Sequence, residues 1–124
     1  MRTVKRSNPY RRWLVWQKAK ALADEIHTVT NRFPDAEPFD LIPQMRRASL
    51  SIPANIASGF RHSVKREKRR CYRQAQVSLA ALDAYLKMSR SPLRAVLSRI
   101  EGRRLAILQR DVDRLLKTLV HFVP

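Results

Sequence analysis

Apolar residues recur along this chain at intervals of three and four, and no stretch alternates strictly, so each periodic segment predicts a helix and none predicts a strand. Trp16, Ala19, Leu22, Ile26, Val29 and Phe33 step in this way until Pro34 stops the pattern. A segment rich in Asp and Pro then turns the chain, with Asp40 placed to N-cap a second helix. Met45, Ala48, Ile52 and Ile56 give that helix its inward face as far as about Ser58, and Gly59 suits a left-handed C-cap. Pro53 lies inside the pattern. It has no N–H for the Ser49 carbonyl and crowds it, which costs about 3 kcal/mol and bends a helix unless packing offsets it. Ser51 and Asn55, beside the apolar stripe, are expected to bond carbonyls freed by Pro53 or a neighbouring helix, fixing register.

Ser63 is placed to N-cap a third helix, whose inward face carries Cys71, Ala75, Ser78, Leu82 and Leu86, flanked by Tyr72, Leu79 and Tyr85. The short connection before it predicts an antiparallel hairpin with Phe60, Arg61 and His62 at the tip. Ser91 followed by Pro92 reads as cap and first-turn proline of a fourth helix. Its apolar stripe falls into two parts, Leu93, Val96, Leu97 and Ile100, then Leu105, Leu108, Val112, Leu115 and Leu119. Gly102, Arg103 and Arg104 interrupt them, either as a bend or as the start of a new helix. Residues 1–11 have no such period and read as a flexible basic arm, which leaves residues 12–124 as one domain.

The run Gln44, Arg46, Arg47, Ala48, Ser51, Ile52, Pro53, Asn55, Ile56, Ala57 and Gly59 resembles the signature of the four-helix-bundle proteins encoded in intervening sequences of bacterial 23S ribosomal RNA genes. Related bundles are the accessory variability determinants of diversity-generating retroelements. Leu14, Trp16, Ala19, Leu22, Thr30, Phe33 and Pro34 resemble the family's first helix. Ala75, Ser78, Leu79, Leu82 and Leu86 resemble its third. The pattern departs at Ser58, near Lys68, and at Val77, Ser78 and Ala81, so no role that rests on acidic residues there carries over. The resemblance implies an all-α, antiparallel four-helix bundle assembled into a homopentameric ring or barrel. It also implies RNA or RNA/DNA binding together with a reverse transcriptase.

Charge sharpens this reading. Among 124 residues, 26 Lys and Arg stand against 10 Asp and Glu, a formal +16 that works against compactness unless a polyanion is the partner. The densest segment is residues 61–73, where Arg61, Lys65, Arg66, Lys68, Arg69, Arg70 and Arg73 face a single acid, Glu67. On a helix these cations wrap much of the circumference, so the segment is expected to be exposed, with phosphates drawn to its N-terminal end. Arg46 is expected to face solvent and Arg47 to sit at the boundary of the core. Arg11 and Arg12 of the arm complete the candidate nucleic-acid contacts. RNA is favoured over DNA.

Other chemistries find little. His27, His62 and His121 have no ligand-spaced partners, and two glycines cannot build a phosphate-cradling loop, so neither metal nor cofactor is expected. His62 with Glu67 is the one pair a nuclease would use, but the reading is non-enzymatic. The lone Cys71 cannot form an internal disulfide, and no apolar run is long enough for a membrane span, which fits the cytoplasm. The alternatives are an intervening-sequence protein of uncertain function and a scaffold that meets acidic protein.

Overall fold

The computed structural model describes residues 9–33 and 40–123. They form five helices and no strand: α1 (Pro9–Thr30), α2 (Leu41–Arg61), α3 (Lys65–Met88), the short α4 (Arg90–Val96) and α5 (Arg99–His121). The expected arm lies outside the described residues as far as residue 8, whereas residues 9–11 already belong to α1. No described helix is long and apolar enough to cross a membrane.

Polar contacts set the direction of each long helix. Between α2 and α3, Lys68 reaches Gly59, Ser51 reaches Ser78, and Ser89 meets Met45, so the pair runs antiparallel. Between α1 and α5, Lys18 pairs with Asp111 at 3.0 Å and Glu25 with Arg104 at 3.7 Å, again in opposite directions. α1 packs on α2 and α5, and α3 packs on the same two, so each long helix has two neighbours around one core.

That core comes from the predicted faces, slightly rotated. Leu22, Ile26, Met45, Ile52, Ile56, Leu82, Val112 and Leu116 are fully buried, each contributing roughly 1.5–3 kcal/mol over an exposed side chain. On α1, Val15 takes the inward place expected for Trp16, which is half-buried and stacks on exposed Trp13 with ring centres 5.7 Å apart. On α5, Leu116 is buried and Leu115 only half-buried. Tyr72, expected at the flank, lies at the centre.

The irregular positions follow different chemistry from that expected. Asp40 stands at the N-cap of α2, but with φ 52° and no capping bond from its side chain. α2 continues through Pro53 and past Gly59, which has no left-handed backbone. Gly59 is instead a point of close approach. A Cβ there would lie 2.9 Å from Tyr72 Cδ1, so the ring packs directly on the α2 backbone. Asn55 donates to the Ser51 carbonyl at 2.8 Å rather than to that of Ser49, and Ser51 Oγ bonds Ser78 Oγ across the interface. Val64, not Ser63, occupies the N-cap of α3.

The expected fourth helix is two helices, and the break lies upstream of Gly102, at Leu97 and Ser98. Ser98 Oγ accepts the Glu101 N–H at 3.1 Å while Glu101 Oε1 accepts the Ser98 N–H at 3.0 Å, a capping box that starts α5 afresh. Ser91 and Pro92 lie inside α4, which is capped at Ser89. Arg32 clasps the joint by donating to the Val96 carbonyl at 2.9 Å and to both Glu101 oxygens. These bonds, Arg32 first and the Ser98 N–H next, hold the Glu101 carboxyl down at about 2. Ile100, expected in the core, is left exposed at the start of α5.

Tyr72 Oη is buried with no hydrogen-bond partner among the described residues, and burial pushes its phenol up to about 12. Because burial penalises the phenolate, the shift leaves stability unaffected below pH 10 and lowers it by about 2–3 kcal/mol as the pH climbs through 12. Tyr72→Phe is expected to unfold about 1 kcal/mol less readily in urea at neutral pH, because it removes an unsatisfied hydroxyl. Its stability measured from pH 10 to 12 is expected to lack the wild-type fall attributable to this ring.

Candidate nucleic-acid interface

The basic segment at the start of α3 divides into cations that hold the protein together and cations that face outward. Lys68 belongs to the first group. It is 8% exposed, and its Nζ donates to the Gly59 carbonyl at 3.0 Å and the Phe60 carbonyl at 3.3 Å, both in the last turn of α2. Those carbonyls have no donor within their own helix, and a cation there also meets the negative end of the α2 dipole. Burial first, and Arg12 second, lowers the Lys68 pKa. Arg69 is similarly engaged, donating from Nε to the Val120 carbonyl at 3.1 Å near the end of α5. The expectation that the whole segment faces solvent is therefore wrong for these two residues.

Arg46 also turns inward. Its Nε donates to Thr30 Oγ1 at 2.9 Å and its Nη2 to Asn31 Oδ1, closing the C-terminal end of α1. Arg47, expected at the core boundary, is the exposed one of the pair. Both lie about 22 Å along α2 from Arg61, too far to share one contact surface with the start of α3.

At the other end of α2, the antiparallel path brings α1 back to the basic segment. Arg12 lies over the Phe60 ring, 5.5 Å from its centre, and Phe60 in turn meets Tyr72 edge to face. Arg12 thus stands beside the candidate surface, while the side chain of Arg11 lies outside the described residues.

The outward cations are Arg61, Lys65, Arg66, Arg70 and Arg73, all exposed. Arg70 forms an ion pair with Glu67 at 2.7 Å, one turn back on the same face. Lys65, Arg66 and Arg73 make no ion pair among the described residues. Two shallow hollows lie on this surface. One of about 390 Å³ is lined by Arg66, Arg69, Arg70, Arg73, Gln74 and Val77. The second, of about 380 Å³, is shared between α3 and α5 and adds Lys117 and His121 to Arg69 and Arg73. Arg69 and Arg73 join the two, and no carboxylate lines either.

Lys117 and His121 were not singled out in the sequence. Their i, i+4 spacing in the last turns of the final helix is the signal, since an antiparallel α5 must end where α3 begins. His62 is half-buried, and the Glu67 carboxylate accepts from Arg70 Nε and Nη2, so that pair is not set up as a free acid and base. No cluster of metal-ligating side chains occurs among the described residues. Cys71 is buried with its thiol toward Ser58 Oγ at 3.7 Å.

Among the described residues, these observations define an all-helical protein whose basic surface holds two hollows without a lining carboxylate. By sequence, the chain belongs to the 23S rRNA-intervening sequence protein family, which it matches over residues 11–119. No curated protein matches it.

The division of the cations can be tested at Lys68. Lys68→Met keeps the aliphatic stem but leaves the Gly59 and Phe60 carbonyls without this donor, and is expected to lower the unfolding free energy by about 1–3 kcal/mol in a urea titration. Affinity for a generic RNA oligonucleotide, measured below the unfolding transition, is expected to change less than twofold.

Proposed function

We propose that this member of the 23S rRNA-intervening sequence protein family is a non-enzymatic nucleic-acid-binding protein that holds RNA by its phosphates on the α3 surface. The observation that carries this reading is the pair of joined hollows, lined by arginines from successive turns of α3 and by Lys117 and His121 of α5, with no carboxylate in either. Guanidinium groups suit bidentate phosphate contact, and neutralising several phosphates releases counterions. Neither hollow offers Phe, Tyr or Trp for base stacking, so recognition rests on backbone and shape rather than sequence.

The proposal includes the finer expectations of the resemblance: a four-helix bundle assembled as a homopentamer, in the cytoplasm, accompanying the reverse transcriptase of a diversity-generating retroelement and its RNA. Their support is the family membership together with the charge. Five copies of a chain this basic would present a ring of like surfaces to one polyanion.

Two measurements follow. Fluorescence anisotropy with labelled single-stranded and duplex RNA is expected to show binding at low salt that falls steeply as salt rises. Lys65→Glu, Arg66→Glu and Arg73→Glu combined are expected to weaken it at least tenfold and flatten the salt slope, with helical circular dichroism retained. Absence of binding at low salt, or an unaltered affinity in the triple variant, would defeat the reading. For assembly, light scattering after size-exclusion chromatography is expected to give about five times the chain mass of 14.5 kDa, and a monomeric mass would exclude the ring.

A further inference from the structure

Along their seam α3 and α5 are tied at two polar points and stand apart between them. At one, Arg69 Nε meets the Val120 carbonyl; at the other, Gln109 Nε2 donates to Asp83 Oδ1 at 3.4 Å. The stretch of α3 between these ties covers about 21 Å. Its facing positions include Ala80 and Ala106, both exposed and too short to close the gap. A hollow of about 540 Å³ lies there, with Leu79 in its floor. Through Asp83 and Gln109 it continues into a hollow of about 430 Å³ walled by Leu86, Leu93 and Leu97. Through Gln76 it runs the other way, into the hollow that holds Arg73 and Lys117.

The groove so formed has basic ends and a mixed middle, where Leu79, Ala80 and Ala106 share the lining with Gln76, Gln109, Arg110 and two carboxylates. Arg69, Arg73 and Lys117 stand at one end, and Arg90, Arg94 and Arg99 at the other. Its middle carries two carboxylates, Asp83 tied to Lys87 and Asp113 tied to Lys117, each at 3.0 Å. A phosphate chain laid along the whole seam would pass both carboxylates and would find no Phe, Tyr or Trp to stack on. An amphipathic helix meets the opposite conditions. Apolar side chains three and four residues apart would fill the gap over Ala80 and Ala106 and lie against half-buried Leu93 and Leu97, and acidic residues near its two ends would face the arginines.

We propose that the α3–α5 groove docks an acidic amphipathic helix of a partner protein, on a face that meets the RNA surface at one end, around Arg69, Arg73 and Lys117. The inference stands apart from the RNA reading, and either can fail without the other. The probe is a fluorescein-labelled designed peptide of about 18 residues, roughly 27 Å as a helix, with leucines along one face and glutamates elsewhere. A control peptide of the same composition distributes the leucines around the helix. At physiological ionic strength the first is expected to bind at least tenfold tighter than the control. Ala80→Trp and Ala106→Trp, which fill the gap from exposed positions, are each expected to weaken it at least tenfold while RNA affinity stays within twofold. Equal affinity for the two peptides, no binding, or indifference to both tryptophans would overturn the proposal. RNA affinity that falls with the peptide's would overturn it too, by making the groove a track for nucleic acid.

Discussion

A helix that ends inside a protein leaves carbonyls without donors, and at the end of α2 the donor that meets them is the ammonium of Lys68, reaching back from the first turn of the next helix. Four residues further along α3, the Tyr72 ring rests on the backbone of Gly59, where any larger residue would hold the helices apart. Together these contacts fix how α3 lies on α2, both its distance and its register. The remainder follows from that pair. Ser51 meets Ser78 further down the interface, and α1 and α5 close over the apolar faces that α2 and α3 leave. Because Lys68 and Tyr72 point into the core, Arg66 and Arg73 are turned outward on the same helix, and Lys65 is exposed at its first residue.

Cations also stand at the ends of α5, α4 and α1, on backbone carbonyls in the first two and on side-chain oxygens in the third. Arg69 meets the last turn of α5, Arg32 meets the Val96 carbonyl that ends α4, and Arg46 binds Thr30 and Asn31 where α1 stops. Each places a cation at the negative end of a helix, where the dipole favours it. A basic chain of this kind therefore has two populations of Lys and Arg. One replaces the glycine and water that more usually finish helices, and the other is left for solvent or a ligand.

Much of this was legible in the sequence. Apolar spacing located the long helices and most of their buried faces, because burial against a common core acts on every turn alike. What was not legible depended on single contacts between distant residues. Nothing local to Lys68 distinguishes it from Arg66 or Arg70; its burial is decided by the two carbonyls that α2 brings to it. Gly59 carried a real signal, a residue that must be small, but the reason is the Tyr72 ring rather than a left-handed turn. The break before α5 was written locally, in Ser98 and Glu101, and was obscured by the more conspicuous Gly102 and by Ser91 with Pro92. In the candidate surface, the cations of α3 were visible as a run. Lys117 and His121 were not, since only the antiparallel path of α5 brings them there.

The carboxylates give the last step. Among the described residues, every Asp and Glu except Asp40 already has a cation partner: Asp24 with Lys20, Glu25 with Arg104, Glu67 with Arg70, Asp83 with Lys87, Glu101 with Arg32, Asp111 with Lys18 and Asp113 with Lys117. Exposed pairs of this sort add little stability, but they use up the negative charge these residues can offer. Arg66 and Arg73, in a hollow without a carboxylate, are left to repel one another and their neighbours. Their counter-charge comes from solvent ions or from a ligand. Under the proposed function a row of phosphates would supply it, and the ions released on binding would add to the gain. On the proposed reading, the excess charge that works against folding in isolation would become the source of affinity for a polyanion.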